Sequence, residues 1–206
     1  MTGPLFAKSA LLGFSLAAPL GPIGAICIHR TLRRGFLAGV ATGLGTALAD
    51  CCYAALAAAG FAAFAASLSI LSKPLALGGG IFLLWLGFGF LRPSADDRKA
   101  PGAGDTLIGT ISTTFLLTIS NPMTIMAFAA IFAGLGLAQM LDRESALVVV
   151  LGVLVGSMGW WIFLSAAVAI ARDKLPHSFA AWVSKASGII LIAFGTASVI
   201  SAVPAF

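Results

Sequence analysis

Charge is what the sequence has least of. Asp, Glu, Lys and Arg together make up 9% of the chain, whereas a soluble globule carries about 25%. That shortage excludes a solvated surface over most of the chain, and with it a separate soluble domain. Cysteine is scarce too: Cys27, Cys51 and Cys52 all lie within or at the edge of apolar stretches, which leaves no secreted disulfide framework. There is no nucleotide-binding P-loop, no metal-spaced His/Cys cluster and no nucleophile triad, so neither an ATP-driven pump nor an enzyme finds support, and no cofactor is expected. The net charge of +5 falls in short clusters between apolar runs. That pattern orients membrane helices and is not a nucleic-acid-binding face.

Apolar sequence is abundant instead, with hydrophobic residues at 60%. Six segments can be drawn, at about 5 to 28, 35 to 66, 70 to 91, 106 to 138, 145 to 171 and 179 to 203. Each reaches the roughly 20 residues needed to cross a bilayer core. The expectation is an all-α, polytopic membrane protein of six transmembrane helices, forming a single membrane domain over residues 1–206. Lys8 is the only charge before a long first run that holds two prolines and no clear cleavage site, so that run reads as a transmembrane helix and not a signal peptide.

Orientation follows from Lys and Arg. Arg30, Arg33, Arg34, Arg92, Arg98, Lys99, Arg172, Lys174 and Lys185 fall on one side, and only Lys8, Lys73 and Arg143 on the other. The positive-inside bias puts the first set in the cytoplasm and both termini outside it. The polar, Pro/Gly-rich linker at about 92–105 divides the six helices into a first repeat, about 1–91, and a second, about 106–206. Three is odd, so the halves run in opposite directions, as in an inverted repeat. Gly21-Pro22 falls opposite Asn121-Pro122, and Gly45-Thr46 resembles Gly156-Ser157; two matches in order suggest duplication of a three-helix unit.

The residues with chemistry are those that a bilayer makes costly. Pro19, Pro22 and Pro122 should free the carbonyls of Ser15, Ala18 and Thr118. Unpaired backbone at membrane depth survives only inside protein or beside a water-filled cavity. Each proline alone reads as a packing kink; breaks at matching depths of both halves point to a transporter's central site. Asp50 is the only acidic residue within an apolar segment. A carboxylate there should face the bundle interior, and it either couples protons, recognises substrate charge, or is a protonated strut on a freed carbonyl. Thr46 and Tyr53 lie about one turn to either side of Asp50 and share its face, although Tyr53 reads equally as a core aromatic. Gly35, Gly39, Gly43 and Gly45 line one face of helix two, suited to close packing or to a moving contact. His29, Arg30, Arg33 and Arg34 read as a solvated turn that sets topology and binds lipid head groups, with a cytoplasmic gate as the alternative.

The run APLGPIGAICIHRTLRRGFLAGVATGLGTALAD resembles the N-terminal signature of the LysE/RhtB family of amino-acid exporters, and TISNPMTIMAFAAIFAGLG with GVLVGSMGWW resembles its second half. The family's Pro-Gly-Pro motif stands here as Pro19-Leu20-Gly21-Pro22. The resemblance implies a secondary transporter in a bacterial cell (inner) membrane, exporting amino acids or related small metabolites. Proton or another ion is the expected coupling partner, and a homodimer is compatible with this reading. The substrate site would draw on Pro19, Gly21, Pro22, Thr46, Asp50, Tyr53, Asn121 and Pro122, with Asp50 as the coupling residue. Two other classes compete: a transmembrane thiol-redox carrier, which would need a cysteine in each half, and a membrane assembly protein without transport.

Overall fold

The computed structural model describes residues 2–19, 21–59, 61–91, 106–121, 124, 128, 143–172 and 177–202. The long elements among them are all helices: α1 (Thr2–Ala17), α2 (Pro22–Arg34), α3 (Phe36–Ala59), α4 (Phe61–Leu91), α5 (Leu107–Ile119), α6 (Arg143–Arg172) and α7 (His177–Ala202). Stretches Phe36–Ala58, Arg143–Arg172 and Trp182–Ala202 are long and apolar enough to cross a membrane, and a fourth span results if α1 and α2 count as one bent segment. The interval 92–105 expected as a linker lies outside the described residues.

Two expected boundaries are corrected. The first apolar segment is not one helix over 5 to 28: it stops at Ala17 and resumes at Pro22, and the axis turns by 81° between the two pieces. Proline explains this better as a boundary than as a kink. Pro22 occupies the first helical position of α2, where its missing N–H costs nothing and its fixed φ starts the helix. The helix that the carbonyls of Ser15 and Ala18 were expected to serve has already ended, and the turn closes through Gly21 N–H on the Pro19 carbonyl at 2.9 Å. The second correction is at the other end of helix two. It ends at Ala59, and the apolar stretch from Phe61 onward belongs to α4, which is a full turn or more longer than the 70 to 91 expected.

The fold is centred on α3. About 61% of its apolar window is buried, against 33% for α6 and 28% for α7, so α3 is the interior helix and the other two face outward along much of their length. Its glycines are what admit the neighbours. A methyl at Gly43 would overlap Cβ of Trp161 on α6, one at Gly39 would meet Thr31 of α2 and Ser165 of α6, and one at Gly45 would meet the Ile111 carbonyl and Thr114 of α5. The glycines therefore do not form the single stripe expected: Gly39 and Gly43 face α6, Gly45 faces α5, and Gly35 is outside the pattern. Gly35 caps α2, with φ of 87° and its N–H on the Thr31 carbonyl at 2.9 Å, a left-handed position that suits glycine.

Two further pairs close the bundle. Helix α1 packs on α6, where Gly156 lies against Ala10 and Phe14, and α4 packs on α7, where Gly80 meets Gly195 and Gly87 meets Gly188. Backbones this close gain van der Waals contact in a lipid setting that offers no hydrophobic drive between helices. Large apolar side chains such as Trp85, Phe88, Ile108, Phe163 and Ile189 are left exposed on the outside, as a lipid-facing surface requires.

The basic segment at the end of α2 differs from the solvated turn expected. It is helical to Arg34, and His29 is buried, its ring edge-on to Phe90 of α4 with centroids 4.4 Å apart. Arg30 reaches Thr42 Oγ1 of α3 at 3.3 Å and the Thr110 carbonyl of α5 at 3.4 Å. The guanidinium thus ties three helices together at one end of the bundle.

Candidate functional site

The site is built around the gap between α1 and α2. Because α1 ends at Ala17 and α2 begins at Pro22, the start of α2 opens into the protein interior. Gly21 supplies no side-chain cap. Helix geometry leaves the N–H groups of Ile23 and Gly24 without intrahelical acceptors, since the first bond of the ladder runs from Ala25 N–H to the Gly21 carbonyl at 3.1 Å. These two amides, with the positive end of the helix dipole, can receive an anion.

In front of them lies a cavity of about 300 Å³. Pro19, Gly21 and Pro22 line it, together with Thr46 and Asp50 from α3 and Asn121 from just beyond α5. Six of the eight residues singled out in the sequence are therefore brought to one place. Tyr53 is not among the lining residues. It is buried against Phe128, with ring centroids 5.5 Å apart, and its hydroxyl donates to the Ile119 carbonyl at the end of α5. The backbone of α5 loses its ladder there, so Tyr53 serves as a partner for the broken helix end. Pro122 lies outside the described residues.

Asp50 is held deliberately. It is buried, 3% exposed, and accepts a 2.8 Å hydrogen bond on Oδ2 from Ser157 Oγ of α6. The bond joins α3 to α6 across the centre of the bundle. Removing one partner from a buried pair leaves the other without its bond. A double-mutant cycle between Ser157→Ala and Asp50→Ala, read by thermal unfolding of the purified protein, should therefore return a coupling of about 1–3 kcal/mol. Additive effects would show that the two side chains act independently.

Thr118, expected only through its carbonyl, also lines the cavity, and so do Thr124, Trp161 and Phe194, which the sequence does not point to. The signal for Ser157 was present in its match to Thr46 but served only to align the halves. Nothing in the sequence separates Trp161 or Phe194 from other apolar residues of membrane helices. The lining combines one carboxylate, threonine hydroxyls, an asparagine and free backbone amides with an apolar wall, which suits a small molecule carrying both charges.

An all-helical bundle with apolar outer faces, a helix broken at its centre and a buried carboxylate beside the break has the build of a membrane transporter. The chain belongs to the LysE type translocator family, which it matches over residues 14–202. It is 26% identical over 196 residues to YcgF of Bacillus subtilis (strain 168), which is named as an amino acid efflux protein, covering 93% of each chain. It is 27% identical over 165 residues to ArgO of Pectobacterium carotovorum subsp. carotovorum (strain PC1), named as an arginine exporter protein, covering 78% of this chain and 79% of that one. YahN of Escherichia coli (strain K12), named only as a membrane protein, is 29% identical over 153 residues, 70% of this chain and 66% of its own. No solved structure matches the chain. The family is one of transporters, which are not enzymes.

Proposed function

We propose that the chain is a secondary active transporter that exports amino acids or related small metabolites from the cytoplasm, exchanging substrate for protons by alternating access of two inverted three-helix repeats. The observation that carries this reading is the placement of Asp50 in a cavity lined both by the break between α1 and α2 and by residues at the end of α5. In this reading the amides of Ile23 and Gly24 receive the substrate carboxylate, and Asp50 receives its ammonium group or, in the substrate-free protein, a proton. Thr46 and Asn121 complete the polar wall, and Pro19, Gly21 and Pro22 keep the helix open. Pro122 would do the same in the second half, and Tyr53 supports the site from behind.

Helix packing supports the repeat. Gly45 of α3 rests on Ile111 and Phe115 of α5, and Gly156 of α6 rests on Ala10 and Phe14 of α1. In each case a glycine meets two positions four residues apart, and exchanging the halves exchanges the contacts. The pairing of α4 with α7 maps onto itself, since Gly80 meets Gly195 and Gly87 meets Gly188, each seven residues along. Rocking one half on the other about these smooth contacts would expose the cavity to each side in turn.

The same reading places the protein in a bacterial inner membrane with both termini outside the cytoplasm. A periplasm-active reporter fused to the C-terminus should be active and a cytoplasm-active one silent; the opposite pattern would invert the orientation. The function is tested by comparing the medium of cells with and without the protein. Accumulation of an amino acid outside overexpressing cells is expected, and an unchanged medium across all amino acids would contradict it.

A further inference from the structure

The charges of the cavity are lopsided. Asp50 is the only ionisable side chain among the described lining residues, and no other acidic residue occurs in the sequence from Phe36 to Leu91 or from Leu107 to Leu141. The rest of the wall includes Trp161, Phe194, Leu16 and Ile23. Packing shows how the two halves of the chain differ. Asp50 stands five residues after Gly45, and Trp161 stands five residues after Gly156, the glycine with the matching contact in the second half. Where one repeat offers a carboxylate, the other offers an indole. Trp161 is buried, 3% exposed, and its Cβ and Cγ are seated on Gly43, so the ring is held from α3.

An amino acid brings one ammonium and one carboxylate whatever its side chain. Asp50 and the α2 amides meet those two, and the side chain is left to the aromatic and aliphatic wall. A second cation, the guanidinium of arginine or the ε-ammonium of lysine, would be buried with no carboxylate to pair it. An apolar side chain would instead be desolvated favourably there.

Resting on the exporter reading, we propose that this site selects amino acids with uncharged, apolar side chains over arginine and lysine, and that Trp161 sets the preference by direct contact with the substrate side chain. The selectivity differs from that given in the name of the Pectobacterium relative.

The test is self-exchange by the purified full-length protein in liposomes, loaded in separate preparations with labelled leucine, phenylalanine, glycine, arginine or lysine. Leucine and phenylalanine should exchange faster than arginine and lysine by about tenfold or more. Trp161→Ala should slow phenylalanine more than glycine, and Trp161→Glu should raise arginine relative to leucine. Equal or faster exchange of arginine or lysine by the unaltered protein would overturn the selectivity and leave the exporter reading standing. Equal slowing of phenylalanine and glycine in the alanine variant would overturn the role of Trp161, and this arm does not depend on recovery of the glutamate variant. Should no amino acid exchange while the protein remains monodisperse and inserted, the exporter reading fails and the selectivity with it.

Discussion

Asp50→Asn is expected to reduce concentrative, pH-dependent efflux by a factor of about 100 or more while the protein still folds and inserts. The factor follows from the cost of leaving a buried charge without its partner, about 3–5 kcal/mol, at about 1.4 kcal/mol for each tenfold. A substrate ammonium that meets a neutral amide instead of a carboxylate would bear that cost. Folding should survive because asparagine keeps the size of the side chain and can still accept from Ser157 Oγ, which lies 2.8 Å from Oδ2. An exchanger must also change the charge of its coupling group during the cycle, and an amide has no charge to change. The variant should therefore keep substrate-for-substrate exchange at a low rate while losing uphill export. Efflux measured in cells at two external pH values separates these outcomes. An Asn variant as active and as pH-dependent as the unaltered protein would reduce Asp50 to a hydrogen-bonding strut.

Gly156→Ala should cause the largest loss of stability of any single methyl added to the bundle. The new Cβ would overlap the Ala10 carbonyl oxygen, and would come within 2.7 Å of the Ala10 carbonyl carbon and 2.9 Å of the Phe14 nitrogen. All three are backbone atoms of α1, so no side-chain rotation relieves the contact and the helix itself must move. Overpacking against adaptable side chains costs about 1–3 kcal/mol, and a rigid backbone puts this case at the upper end or beyond. Gly159, on the same helix, has nothing within 4 Å of the corresponding position, so Gly159→Ala should be neutral or slightly stabilising through helix propensity. Melting temperatures of the two variants in detergent decide the matter. A similar fall for both would show that α1 does not pack on α6 through Gly156.

Much of the candidate site is legible in the sequence because lipid makes polar groups conspicuous. Asp50, Thr46, Pro19, Gly21, Pro22 and Asn121 stood out as features a bilayer would penalise, and all six meet at the cavity. Trp161 and Phe194 were not legible, since an aromatic side chain in a membrane helix looks the same whether it faces lipid, core or a cavity. The boundary after Ala59 carries Gly60 as its only mark, and that mark does not stand out, because Gly39, Gly43 and Gly45 lie inside α3 itself. In the sequence alone a proline within an apolar run reads as a defect inside a helix, whereas the structure makes Pro22 the first residue of a new one. Charge alone assigns His29 and Arg30 to solvent, whereas α2 continues through them and carries them against α4, α3 and α5. Periodicity could not decide that, because it gives the face of a helix but not how far the neighbouring helices extend.

Proton movement tied to substrate movement is the most direct measure of the exchange mechanism centred on Asp50. The full chain is reconstituted in liposomes enclosing a pH-sensitive dye, an amino acid found to be exported is added outside, and the internal pH is followed without any other gradient. The expected result is a pH change that starts with the addition, runs in the direction of proton exit as substrate enters, and disappears in Asp50→Asn. Substrate entry with no change in internal pH, or an unaltered pH change in the Asn variant, would contradict the account.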